Sequence, residues 1–376
     1  MKFSVDRQAF IDGLKLVGPA VSKRSALPVL NNVLLQADDE GVQLWASNLE
    51  LMLSTRVAAA VEQGGAITLP YQAMSDLLAA MEGDGVNFTL DPARDEVTIT
   101  GEGTEVRLKG IDAGEFPSIN TVLTENVTRL AFEEDELARS WGSVAFAAAT
   151  EDARPTLTTM LLRVAESEMV MAATDGFRLV WRHDPVTVME GETVEALIPA
   201  QAIGPIASLV KGMLVTATFN CNELVIEAEG RVAHVQLADG NYPAYEALIE
   251  DKYQTTVQVD QAGLAEALSL MVVMCKWSAG NPAAMLTWEE SGEEPAWVLA
   301  SAASGTGEAE AVYRPVTLTG PAPQRCAFNA NYLADALAHC PGEQAALMMN
   351  SHLAPMLVRP LTGADWNCMI MPHNLI

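Results

Sequence analysis

The residue types that do chemistry are present in this chain but are not assembled into a constellation. Asp175, in Ala173-Thr174-Asp175-Gly176, has the form of a catalytic acid. An aspartate followed by glycine is also what a tight turn selects. Its carboxylate accepts from the next backbone N–H groups, and glycine takes up left-handed backbone. The turn is the more economical reading. The five histidines (His183, His234, His339, His352, His373) stand alone, with no second ligand at helical or hairpin spacing, and are expected to be surface or packing residues. The run Glu133-Glu134-Asp135-Glu136 reads as a solvated helix start. There is no GxxxxGK[ST] loop, no HExxH and no GxSxG, and Gly101-Glu102-Gly103 lacks the third glycine of a dinucleotide fingerprint. The five cysteines (Cys221, Cys275, Cys326, Cys340, Cys368) are scattered and form no CxxC pair. A reduced, cytoplasmic chain with buried free thiols is the simplest account. No metal or cofactor is implied.

The elements that would have to position a site repeat along the chain. Each third opens with an acidic residue and an amphipathic stretch: Asp6 to Val21, Glu134 to Val144, and Asp260 to Met271. Phe10, Leu137 and Leu264 fall 127 residues apart, twice. Apolar residues at i, i+4 and i+7 define one helical face, and the acidic residue before each is an N-cap or first-turn group. A second landmark recurs in phase. Ile67-Thr68-Leu69-Pro70, Leu197-Ile198-Pro199 and Ala327-Phe328-Asn329 each precede another helical pattern and then alternating strands. The closing segments also match, Asp112-Ala113-Gly114-Glu115-Phe116-Pro117 against Asp239-Gly240-Asn241-Tyr242-Pro243. An α+β chain of three similar domains, 1–122, 123–250 and 251–376, follows. The linkers near 120–128 and 248–256 are short, so a continuous sheet or tight packing should join the domains. Such a chain builds a scaffold more readily than a catalytic pocket.

Charge narrows the function classes. The net charge is −27, and the three parts carry 9 basic and 17 acidic, 8 and 20, and 5 and 12 residues. That argues against coating nucleic acid, which runs on neutralised phosphates. No apolar run approaches the roughly 20 residues that span a bilayer, and the N-terminus does not read as a signal peptide.

Several segments resemble the bacterial DNA polymerase III beta sliding clamp family: Met1-Lys2-Phe3-Ser4-Val5-Asp6-Arg7, Leu27-Pro28-Val29-Leu30-Asn31-Asn32-Val33-Leu34-Leu35, Arg154-Pro155-Thr156-Leu157, Ala172-Ala173-Thr174-Asp175-Gly176-Phe177-Arg178-Leu179 and Met371-Pro372. The resemblance runs the full length. It implies three clamp domains per chain, each of two helices on antiparallel sheets, and two chains joined head to tail as a ring. It further implies a non-catalytic processivity factor whose partners are double-stranded DNA, the polymerase III catalytic subunit, a clamp loader and other clamp-motif proteins. Residues matching the family's DNA contacts are Lys23, Arg24 and Arg154, while Arg7, Lys15 and Arg139 lie on the repeated first helices and could face the hole. The matching partner-peptide groove is Leu157, Thr174, Gly176, Phe177, Arg178, Leu179, Pro243, Leu248, Pro355, Ile370, Met371, Pro372 and Leu375, in which Arg178 could cap a peptide carbonyl or carboxylate. The dimer contacts match Val106, Leu108, Val273 and Met274. The third part departs from a cationic lining, with no basic residue on its first helix until Lys276. Two other readings stay open at this stage, an enzyme with a triplicated scaffold around Asp175 and Arg178, and a clamp-like relative without DNA retention.

Overall fold

Residues 1–22, 25–118, 122–151, 154–250, 252–277, 283–289, 296–303, 307–321 and 325–373 are described by the structure, a computed structural model. Among them are helices α1 (Arg7–Val17), α2 (Tyr71–Ala80), α3 (Glu136–Ala145), α4 (Ala200–Leu209), α5 (Gln261–Trp277) and α6 (Ala330–His339). They occupy the positions the repeat predicts. The Asp6 carboxylate accepts from the N–H of Ala9 at 2.7 Å and so caps α1; Asp260 accepts from Gly263 at 2.6 Å and caps α5. The middle repeat shifts this start from the expected Glu134 to Glu136. There the chain passes through a left-handed Asp135 (φ 58°), and the Glu136 carboxylate reaches back to the N–H of Glu133 at 2.8 Å. The second helices follow strands ending in Pro70, Pro199 and Asn329, as the sequence predicts.

The chain packs as two compact units. The first is Met1–Arg139 with Val186–Asp239, and the second is Ser140–Pro185 with Gly240–Ile376. Each combines one outer repeat with half of the middle one, because sheets run across the repeats. In the first unit, Thr128–Phe132, Val215–Phe219, Glu223–Ala228, Arg231–Gln236, Leu51–Val57, Gly41–Ser47, Asn32–Asp38 and Gly65–Pro70 are successive antiparallel neighbours. The seam between repeats sets Ala233 opposite Leu53 and His234 opposite Met52. In the second unit the order is Thr159–Ala165, Glu168–Thr174, Arg178–Pro185, Asp365–Ile370, Met356–Pro360, Gln344–Met349, Thr255–Asp260 and Thr317–Thr319. The seam there sets Val180 opposite Cys368. A shared sheet accounts for the short linkers.

Helices cover the sheets with aliphatic and aromatic cores. Phe3 and Phe88 stack at 4.7 Å between ring centroids, and Phe10 of α1 lies 4.9 Å from Phe88. Gly13 lets α1 approach the sheet. A Cβ there would meet Val57 Cγ2 at 2.7 Å, so any side chain would push the helix away. Cys326, Cys340 and Cys368 are buried free thiols, but Cys221 is exposed, because it sits in the hairpin tip between Val215–Phe219 and Glu223–Ala228. Among the described residues no helix is long and apolar enough to cross a membrane.

Candidate functional site

The motif around Asp175 forms the turn between strands Glu168–Thr174 and Arg178–Pro185. Asp175 Oδ1 accepts from the N–H groups of Phe177 and Arg178, each at 2.9 Å. The Thr174 hydroxyl donates to Arg178 O at 2.5 Å and accepts from the N–H of Gly176 at 3.0 Å. Gly176 takes φ +89°, which a side chain rarely adopts. Asp175 therefore holds a turn, as the sequence favours, and its oxygens are occupied. The turn's product is a presented side chain: Phe177 is 63% exposed.

Sheet register brings the chain end beside it. Arg178 stands opposite Ile370, Ile370 stands opposite Met356, and the N–H of Met371 donates to Phe177 O at 2.9 Å. Phe177, Met371 and Pro355 thus end three adjacent strands. The His373 N–H donates to Ala327 O at 2.7 Å, and Pro372 bridges to Phe328, which ties the tail to the strand before α6. A second wall comes from two single-turn helices, Pro155–Thr158 and Tyr245–Leu248. Glu246 pairs with Arg163 at 2.7 Å, and a Cβ at Gly240 would touch Thr156 at 2.9 Å, so these segments lie together. Burial pushes the Tyr242 phenol up, and Tyr245 up to about 12.

The groove residues divide by exposure. Leu157, Leu179 and Ile370 are 6%, 4% and 0% exposed and form the floor. Thr174 and Pro355 are half-buried, Pro243 and Gly176 are exposed, and Leu248 and Met371 project into solvent at 62% and 48%. Leu375 lies outside the described residues. Arg178 is a correction. Its side chain is only 10% exposed, and it donates inside the protein to Asp175 Oδ2 at 3.1 Å, Asp335 Oδ2 at 2.7 Å and Phe146 O at 2.9 Å. Its guanidinium also lies 5.2 Å from the Phe146 ring centroid and 4.6 Å from that of Tyr332. Three of its five N–H donors are therefore engaged within the chain itself.

The residues matched to DNA contacts are dispersed. Lys23 and Arg24 lie outside the described residues. Lys15, Arg139 and Arg154 are exposed, and Lys15 pairs with Asp12 at 3.0 Å. Arg154 Nη1 would lie 3.7 Å from a Cβ at Gly176, so it borders the groove. Arg7 corrects an expectation. Its guanidinium donates to Gly83 O at 2.7 Å and Leu78 O at 3.0 Å, and it holds the C-terminal end of α2 instead of a free face. Val106 and Leu108 are half-buried on Thr104–Lys109, the end strand of its sheet. Val273, 50% exposed, and half-buried Met274 lie on α5.

Sequence reasoning missed one feature. The turn at Ser47–Leu51 repeats that at Thr174–Arg178, again 127 residues earlier. Ser47 Oγ accepts from Leu49 N–H at 3.1 Å, and Asn48 Oδ1 accepts from Glu50 and Leu51 at 3.0 and 2.8 Å. Leu49 takes φ 79°, as Gly176 does. The Gln236 N–H donates to Glu50 O at 2.8 Å, the counterpart of Met371 to Phe177. The shared signal was a hydroxyl residue followed by Asn or Asp at the established period.

Comparison with known proteins places this geometry in a family. The model for the DNA polymerase III beta subunit, N-terminal domain, matches residues 1–120, and that for its central domain matches 131–244, together more than half of the chain. The beta sliding clamp of Synechocystis sp. is 28% identical and that of Synechococcus elongatus 27%, each over 100% of both chains. The crystal structure of the Bacillus subtilis DNA polymerase sliding clamp superposes with a TM-score of 0.88 at 21% identity, over 100% of both chains. A Pseudomonas aeruginosa sliding clamp bound to griselimycin gives 0.87 at 23%, again over 100% of both. With three repeated α+β domains, sheets shared across repeats and full-length correspondence to these proteins, the chain belongs to the DNA polymerase III beta subunit family, the beta sliding clamps.

Proposed function

We propose that this chain is a DNA sliding clamp, a non-catalytic processivity factor. Two copies close head to tail as a ring around duplex DNA in the cytoplasm, placed there by a clamp loader. The ring tethers the polymerase III catalytic subunit and other clamp-motif proteins. The observation that carries this reading is the exposed apolar pair Phe177 and Met371, held side by side by the Met371 N–H to Phe177 O bond over buried Leu179 and Ile370, in a chain of this family. An extended peptide with apolar anchors suits such a face. Leu157, Leu179 and Ile370 support the groove from beneath, with Thr174, Gly176, Pro243, Pro355 and Pro372 shaping it.

Closure uses the sheet ends. Thr104–Lys109, with Val106 and Leu108, ends one sheet and exposes Lys109, and also Arg107, which pairs with Glu105 of the same strand at 2.6 Å. Gly307–Tyr313 ends another and exposes Glu308 and Glu310. Opposite charge and free strand edges favour pairing of one copy's first domain with the other's third, where Val273 and Met274 of α5 add apolar cover. A heterologous contact of this kind makes a ring when its rotation closes. The acidity then costs nothing in retention. A linked ring needs few phosphate contacts, and Lys15, Lys23, Arg24, Arg139 and Arg154 supply weak ones that permit sliding.

The test is topological. The protein is loaded on a nicked circular plasmid, washed in high salt, and the circle is then cut. Retention on the circle and release from the linear form are expected. Loss from the intact circle with a competent loader overturns the proposal.

A further inference from the structure

The groove's turn does not need Arg178 in order to form. Ser47–Leu51 makes the same backbone with Leu51 in that place, buried at 6% exposure. Aligning α4 with α6 on their preceding Pro199 and Asn329 sets Pro205 against Asp335 and Ala202 against Tyr332. One copy therefore has an apolar trio, Leu51, Ala202 and Pro205, where the other has Arg178, Tyr332 and Asp335. The groups changed together, and the charged set is knit by specific contacts. Arg178 Nη1 lies 2.7 Å from Asp335, its plane faces Tyr332, and a side-chain hydrogen bond links Tyr332 to Asp175. His339, one turn on from Asp335, stacks on Phe146 at 4.0 Å.

From this we propose that Asp335 is a positioning residue for partner docking. Acting through Arg178, it ties the Thr174–Arg178 turn to α6 and so sets the angle at which Phe177 is presented. The groove is then coupled to the seat of α6: a peptide that presses on Phe177 acts on that helix, and a shift of α6 reshapes the groove. A guanidinium is suited to this, since its planar fork fixes two directions at once. The carboxylate end is reachable, because the Asp335 side chain is 47% exposed while that of Arg178 is 10% exposed. The inference rests on the peptide-docking reading above.

Griselimycin titrated onto the full-length chain provides the test, with thermal midpoints recorded alongside. Asp335→Asn is expected to weaken binding about tenfold at an unchanged midpoint, and Asp335→Glu to recover most of the loss. In an Arg178→Leu background, Asp335→Asn should add nothing. Wild-type affinity in Asp335→Asn, or additive losses in the double variant, overturns the proposal. Because Arg178→Leu is buried and can unfold the chain, the Asn and Glu variants decide the matter if it does. Phe177→Ala with Met371→Ala is the control. If that pair leaves griselimycin binding intact, the docking reading itself fails, and the coupling falls with it.

Discussion

At Ser47–Leu51 in the first unit and at Thr174–Arg178 in the second, the chain makes one turn twice. Each uses a hydroxyl acceptor, an Asn or Asp accepting from the next two N–H groups but one, and a left-handed third residue. Each is then stitched to the following repeat by one backbone bond, Gln236 to Glu50 or Met371 to Phe177. What differs is the outward chemistry. The first turn presents Glu50, hydrogen-bonded by Gln201 at 3.1 Å, beside the exposed Gln236. The second presents Phe177 beside Met371. Local polar side chains set a backbone independently of what that backbone displays, so duplication can keep the frame and change the surface. The repeated frame thereby carries Glu50 and Gln236 at one turn and Phe177 and Met371 at the other.

The largest expected effect comes from removing the feature that sets the second turn apart. Arg178→Leu, which copies Leu51, strips the partner from Asp175, whose side chain is only 14% exposed. A loss of about 3 kcal/mol is expected from such a broken buried pair, read by chemical denaturation. If Arg178→Leu is as stable as wild type, the charged set is dispensable and the comparison loses its main contrast. Next is the surface itself. Phe177→Glu with Met371→Gln gives the second turn the face of the first. Each anchor of this type contributes about 2 kcal/mol or more to a small interface, so on the docking reading proposed above the affinity for the griselimycin probe should fall by about 100-fold or more, with the fold retained by circular dichroism. Unchanged affinity would remove these residues from the docking face.

How much of this was legible before the structure depended on whether the signal was local. The helix starts were readable because an acidic cap and an apolar period lie within a few residues of each other. The strand-Pro-helix landmark was readable for the same reason. The Asp175 turn was visible from Asp-Gly alone. Its twin at Asn48 was not, because Leu49 hides a left-handed position that glycine would have announced. Arg178 looked like a free cation in the sequence, and its burial depends on Asp335, 157 residues away. Likewise, Arg7 beside an N-cap gives no hint that Gly83 and Leu78 carbonyls receive it. Contacts that join distant elements leave no period behind.

The left-handed positions offer a smaller, reciprocal test. Side chains in that conformation cost about 1–2 kcal/mol, so Gly176→Ala should destabilise by about 1 kcal/mol, although its Cβ would meet Arg154 Nη1 at an unstrained 3.7 Å. Leu49→Gly should relieve the same strain, offset in part by the greater freedom of glycine in the unfolded chain, and shift stability by under about 1 kcal/mol. Strong destabilisation by Leu49→Gly would mean that the exposed leucine contributes through packing, and that the two turns are less alike than their hydrogen bonds.

The smallest effect separates the closing segments, where Phe116 in the first repeat matches Tyr242 in the second, both nearly buried. Burial raises Tyr242 and carries Tyr245 up to about 12, from an ordinary value of 10.0. Below pH 10 these phenols are neutral in both the folded and unfolded chains, so their contribution is constant. From pH 10 up to the folded value, the unfolded chain releases its proton first and binds fewer protons than the native state. Stability therefore falls as pH rises through that window. Tyr242→Phe should leave the denaturation midpoint at pH 7 nearly unchanged and raise it relative to wild type at pH 11. Phe116→Tyr should import the same alkaline weakness into the first unit. Parallel decline of wild type and Tyr242→Phe between pH 9 and 12 would show that this phenol does not titrate from a buried site, and the two closing segments would then differ only in name.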